Sequence, residues 1–253
     1  MYKLIFLLVL FSIHDVFSVE LIRDTEIEET IRELAEPLFT AASIKYKTIR
    51  IFLLNDNSVN AFITDNNDIF INLGLLRYSN DPHALLGVLA HEIGHMKGNH
   101  LLQQKNAVKQ LTSLNILCGL ISGIMLDYRV ASAILLGGLT LSARSFFNYT
   151  QEQEKEADDY ALKYLDAACY NNTGIKKILG HFKDNEEENT QEYFRTHPPS
   201  SKRLFIAQNY KVKNNVQKIS DEKLFRFKRI VAKVDSFFIP LHLLLNKYYN
   251  DLR

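Results

Sequence analysis

Residues 88–100, VLAHEIGHMKGNH, set two histidines four positions apart, with a glutamate directly after the first, inside an otherwise apolar stretch. Asp81 is a good N-cap, Pro82 suits the first helical position, and Leu85, Leu86, Leu89 and Ile93 recur at helical spacing. A helix is therefore predicted from there to about Gly98. Positions four apart share one helix face, so His91 and His95 can point two imidazole nitrogens at the same place. Either they are incidental core or surface histidines, or they hold an ion between them. In the second case another polar element must fold against this helix.

Periodicity finds that element. In residues 150–168, TQEQEKEADDYALKYLDAA, the helical face 154, 157, 158, 161, 164, 165 and 168 reads Glu, Ala, Asp, Ala, Tyr, Leu, Ala. The opposite face, 152, 156, 159 and 163, carries only Glu, Glu, Asp and Lys. Glu154 and Asp158 are thus acids set into an inward stripe, whereas Glu152, Glu156 and Asp159 are ordinary surface charges. An inward carboxylate is costly unless it is paired or bound to a metal. Glu154 as a metal ligand, with Asp158 accepting from a ligand imidazole N–H, satisfies both. A structural salt bridge with an arginine is the alternative. Glu92, one residue round from His91, completes the HExxH arrangement of zinc metalloproteases, in which the glutamate serves as general base.

Around these helices the chain reads as mainly α with a small antiparallel β-sheet. Residues 24–44 have Ile27, Ile31, Leu34 and Leu38 at helical spacing after Thr25. YKTIRIFLL (46–54), VNAFIT (59–64) and DIFIN (68–72) are rich in β-branched and aromatic residues, with NDN and DNND as turns, and predict about three antiparallel strands. Residues 111–143 hold two apolar segments of about fifteen residues split by DYR (127–129), shorter than the roughly 20 residues a spanning helix needs. A buried helical hairpin and a hairpin that dips into a bilayer both fit. The charged loop KDNEEENTQE (183–192) reads as a solvated connection, with a lid as the poorer reading, and Pro240 breaks a C-terminal helical extension over 212–253. His83, His100, His181 and His242 read as surface or packing residues. His100 stands five residues past His95, about 140° round a continuous helix, and so off the metal face. Cys118 and Cys169 read as buried thiols rather than a bridge.

The first eighteen residues have a lysine, a short apolar core LIFLLVLF (4–11) and VFS at 16–18, the pattern of a cleaved signal peptide. That predicts an exported protein, periplasmic if the source is bacterial, with a metalloprotease domain over 19–211. A net charge of +1 gives no footprint for nucleic acid, and no P-loop, GxGxxG or GxSxG is present, so nucleotide and serine-hydrolase readings lack support. A di-iron carboxylate site would need a second Glu-x-x-His pair, and there is none.

HEIGH (91–95), EKEAD (154–158) and THPPSSKRL (196–204) together resemble the gluzincin metallopeptidase family of HtpX, BepA and the CAAX-prenyl endopeptidases, closest to the protease part of exported BepA-type members. The likeness runs from about Asn60 through Leu204 and includes the apolar hairpin. It implies a zincin-like fold and one zinc ion per chain, held by His91, His95 and Glu154, with Glu92 as base. It also implies that His197 approaches the metal, either steadying the transition state or capping the fourth position in a latent form. Arg203 would be structural or pair with acids near the site. YTQEQE (149–154) departs from the family in lacking an arginine shortly before the ligand glutamate.

The expected chemistry is hydrolysis of peptide bonds in unfolded or misfolded exported or membrane proteins. Asn60, Ala61 and Phe62, just before the active helix, are placed to bind extended polypeptide as an added edge strand. Residues 111–143 offer peripheral membrane contact. The competing reading is a latent protease that acts mainly as a chaperone.

Overall fold

A computed structural model describes residues 20–64, 66–79, 81–125, 150–184, 197 and 201–238. The signal peptide expected over 1–18, the second arm of the apolar hairpin, residues 185–192 of the charged loop, Pro240 and His242 lie outside the described residues. In chain order the elements are β1 (Leu21–Ile22), α1 (Thr25–Ala41), β2 (Ile51–Leu54), β3 (Ala61–Ile63), β4 (Ile69–Asn72), α2 (Leu73–Tyr78), α3 (Pro82–Lys97), α4 (His100–Met125), α5 (Gln151–Ala167), α6 (Thr173–Asp184), α7 (Ser201–Asn209) and α8 (Asp221–Phe238), with one 3-10 turn at Tyr46–Thr48.

The molecule is mainly helical, as expected, but the sheet differs. It has four strands in the order β1-β2-β4-β3 and is mixed. β1 pairs antiparallel with β2, β2 pairs parallel with β4, and β3 pairs antiparallel with β4. Alternation along the chain identifies strands and the β3–β4 hairpin, but not which strand β2 meets. β3 takes the outer position, so β2 meets the far strand of the hairpin in the parallel sense. Period-2 burial follows: Ile51, Leu53, Ala61, Ile63, Ile69 and Ile71 face the helices. On the other face Phe52, Phe70 and Phe62 form a stacked ladder with centroids 5.0 and 5.2 Å apart.

α3 is the central helix. Asp81 caps it by accepting from the His83 amide at 2.7 Å, and every residue from Ala84 to His95 is buried. A helix buried on all sides belongs in the middle of a core, and α3 packs against α5, α6, α1 and β3. The approach of α5 is unusually close. A Cβ on Gly94 would lie 2.5 Å from the Ala157 carbonyl oxygen and 2.9 Å from its Cα. Glycine at 94 is what lets the backbones of α3 and α5 touch beside the two histidines.

α8 packs against α1 and α2, with Phe227, Ile230, Val231 and Val234 in the main core. α4 continues into the first apolar segment, where Leu111, Leu114, Ile116 and Leu117 are exposed, so the described part of that arm is not buried. Among the described residues no helix is long and apolar enough to cross a membrane. The two thiols are not buried as expected: Cys118 is exposed, on the same stretch of α4 as the exposed Leu114, Ile116 and Leu117, and Cys169 is half-buried.

Candidate active site

Thr150 and Gln153 form a capping box that starts α5, and the inward stripe then turns Glu154, Ala157, Asp158, Ala161 and Leu165 to the core, while Glu152, Glu156 and Lys163 are exposed. Because α3 and α5 touch at Gly94, Glu154 meets the histidines. His91 Nε2 and His95 Nε2 stand 2.9 Å apart, and Glu154 lies 3.4 Å from the first and 3.3 Å from the second. His197 joins them, with Nδ1 2.9 Å from Glu154 Oε1 and 3.4 Å from His91 Nε2. All four side chains are buried, and one donor atom from each lies within 4.8 Å of the others.

These residues fit a divalent cation. Ligands at 2.0–2.1 Å in a tetrahedron stand about 3.3 Å from one another, close to the spacings found. Imidazole and carboxylate lone pairs converging in a dry site repel unless a cation or proton lies between them. Two imidazoles, a carboxylate and a third imidazole make a borderline donor set of the kind zinc takes.

The outer atoms of these groups are held. His91 Nδ1 donates to Asp158 Oδ1 at 2.8 Å, so in the neutral ring the lone pair is on Nε2. Arg203 donates through Nε to Asp158 Oδ2 at 2.6 Å and through Nη2 to Oδ1 at 3.0 Å, and its Nη1 lies 2.6 Å from Glu154 Oε2. One buried guanidinium thus spans the two inward acids, the salt-bridge alternative, while Glu154 Oε1 also faces His95 and His197. Burial alone would raise the Asp158 carboxyl, but the Arg203 charge and the His91 hydrogen bond bring it down to about 2. Glu154 is likewise held well below the usual carboxylate range, because the His197 and Arg203 charges outweigh its burial. His91 moves up to about 9, burial being outweighed by Asp158 and Glu154, while burial pushes His95 well down.

Glu92 is fully buried, and neither carboxylate oxygen has a hydrogen-bond partner among the described residues; His197 Nε2 lies 3.6 Å from Oε1. Burial pushes its carboxyl up. Asn60, Ala61 and Phe62 lie on or directly before β3, the outer strand of the sheet, beside α3. The Asn60 and Ala61 side chains are buried and Phe62 stacks on Phe70; the Asn60 carbonyl accepts from the Asn72 amide, so by strand alternation it is the Ala61 main chain that faces the open edge.

Of the four histidines read as surface or packing residues, His83 sits half-buried against Asn171 and His181 against Tyr78. His100 is different. It is wholly buried, and its Nδ1 lies 2.9 Å from His95 Nδ1. An unbroken helix would have carried it off the metal face, but α3 stops at Lys97 and Gly98–Asn99 turns the chain. The Gly-Asn pair after the last apolar residue is the signal that could have revealed this.

The chain matches the model for peptidase family M48 over residues 22–211. It is 29% identical over 199 residues to the beta-barrel assembly-enhancing protease of Escherichia coli O157:H7, covering 76% of this chain and 40% of that protein. It is 28% identical over 156 residues to the metalloprotease YcaL of Escherichia coli K12, covering 61% of this chain and 58% of the relative. The mitochondrial metalloendopeptidase OMA1 of Schizosaccharomyces pombe is 23% identical over 156 residues, covering 61% and 44%. The chain therefore spans 40–58% of the length of these relatives.

Proposed function

The chain belongs to peptidase family M48, and on that premise we propose that it is a zinc-dependent endopeptidase acting on unfolded or misfolded exported or membrane proteins. The observation that carries this reading is the buried convergence of His91, His95 and Glu154 from two helices. A zinc ion held there would supply a Lewis acid and a water acidified to near neutral pH. Glu92 would serve as general base toward the attacking water and then as the acid that protonates the leaving amine. A buried carboxyl raised above its ordinary value suits both halves of that transfer. Asp158 and Arg203 hold His91 and Glu154 in position. The substrate lies extended along the outer edge of β3 beside Asn60 and Phe62 and pairs with the main chain at Ala61, which makes sequence tolerance broad. The apolar run near the start of the chain supports an exported protein, in the periplasm of a bacterial source. The exposed leucines of α4 support peripheral membrane contact.

A second reading is favoured by His197. Its Nδ1 stands among the metal donors, which fits a latent protease whose fourth position is capped and whose chief work is as a chaperone. Replacing His197 by alanine separates the two roles: proteolysis rises if the imidazole is a cap and falls if it steadies the transition state. The main reading is tested by digesting casein with wild type, Glu92→Gln and chelator-treated protein. Cleavage by wild type alone is expected, and cleavage by Glu92→Gln at the wild-type rate would refute the assignment of the base.

A further inference from the structure

We infer that His100 is a positioning residue for the metal ligand His95, backed in turn by Glu156; this rests on the metal-site reading above. The turn after α3 builds the arrangement. Asn99 has φ 53°, the left-handed conformation that asparagine tolerates best among residues with a Cβ. That turn starts α4 at His100 and folds its ring back under the last turn of α3. The ring lies directly on Gly98, where a Cβ would come within 2.2 Å of His100 Nε2 and 2.7 Å of both neighbouring ring carbons. Gly98 has an ordinary helical φ of −73°, so it is the imidazole, not the backbone angle, that requires glycine there.

The tautomers then follow in order. His95 faces His91 and Glu154 with Nε2, so a lone pair must sit on that nitrogen and the proton on Nδ1. His95 Nδ1–H donates to His100 Nδ1 at 2.9 Å, with the two rings edge to face at 79°. His100 Nδ1 must therefore be unprotonated, and its own proton lies on Nε2, 3.3 Å from Glu156 Oε2. Each ligand histidine has its outer nitrogen fixed, His91 by Asp158 and His95 by His100. The two devices differ in charge. Asp158 is a buried acid balanced by Arg203, whose guanidinium also serves Glu154. A further acid beside His95 would add another charge to a buried group that already holds Glu92, Glu154 and Asp158 around one arginine. A neutral imidazole orients His95 without that charge, and it passes the hydrogen bond outward to Glu156, which is half-exposed and solvated.

The test is zinc affinity by chelator competition, with cobalt(II) absorption as a coordination signature, on wild type, His100→Ala, His100→Asn and Glu156→Ala. Losing the outer partner of a ligand histidine typically costs 10- to 100-fold in metal affinity. His100→Ala should fall in that range with an altered cobalt spectrum. His100→Asn, which keeps an acceptor where Nδ1 stood, should recover wild-type affinity and spectrum, and Glu156→Ala should lose less than His100→Ala. Long-range nitrogen NMR of the zinc-loaded wild type, which needs no variant to fold, should read His100 as the Nε2–H tautomer. A folded His100→Ala with wild-type affinity and spectrum, a His100→Asn as weak as His100→Ala, or an Nδ1–H tautomer at His100 would overturn this assignment alone. A wild type that takes up no zinc would overturn it together with the metal site.

Discussion

Glycine to alanine inside a helix ordinarily stabilises a protein by about 0.5–1 kcal/mol, since glycine loses more backbone freedom on folding. At Gly94 the sign should reverse. The added methyl would sit 2.5, 2.9 and 3.0 Å from the Ala157 carbonyl oxygen, Cα and carbonyl carbon. Comfortable separations are roughly 3.3–3.6 Å to oxygen and 3.5–4.0 Å to carbon, so α5 must retreat by about 0.8 Å. The atoms in the way are backbone and cannot rotate aside. Overpacking of this kind costs roughly 1–3 kcal/mol, or a few degrees in Tm for a domain of this size. Glu154 lies one turn from Ala157, and metal ligation tolerates errors of about 0.2 Å. Gly94→Ala should therefore lose zinc affinity as well as stability. Gly180, inside α6 with no atom of the described residues within 4 Å of the place an added methyl would take, is the control: Gly180→Ala should raise Tm. The assay is thermal unfolding of both variants with and without zinc, alongside chelator competition. If Gly94→Ala raises Tm as Gly180→Ala does and binds zinc like wild type, the close approach of α3 and α5 is not what builds the site.

Arg203→Met leaves Glu154 and Asp158 buried without their shared cation, so metal-free protein should lose about 3–5 kcal/mol in urea unfolding; zinc should restore part of it, since a second cation then faces Glu154. Zinc binding should strengthen with pH. His91 titrates near 9 when folded and about 6.5 when unfolded, so its proton stabilises the metal-free fold fully below about pH 6.5 and ceases to do so as pH rises through 9. Zinc must displace that proton, and calorimetry at pH 7 in buffers of different ionisation enthalpy should show proton release on binding. Glu92→Gln should keep zinc affinity and lose at least roughly 100-fold in peptide hydrolysis, the scale of general-base catalysis.

Much of the site can be read from spacing because helices impose it. The four-residue interval in α3 and the inward stripe of α5 are local properties, and burial of Glu154 and Asp158 beside Ala157 and Ala161 follows the predicted face. Asp81 and Pro82 mark the start of α3 for equally local reasons. What local pattern does not carry is how elements meet. β2 runs parallel to β4 because β3 occupies the outer edge, a matter of tertiary pairing. His100 reaches His95 because a turn intervenes, so counting degrees round a continuous helix misplaces it. Arg203 sits among apolar and charged residues in a sequence that does not show its two acidic partners, 45 residues or more away.

The most direct test of the account is a calorimetric zinc titration of wild type and Glu154→Ala, at a pH where both are folded. The account predicts one zinc per wild-type chain and, for Glu154→Ala, a loss greater than the roughly 100-fold that follows removal of an outer partner. A wild type that binds no zinc, or a Glu154→Ala protein that binds it as tightly as wild type, would contradict the claim that α3 and α5 meet around one metal ion.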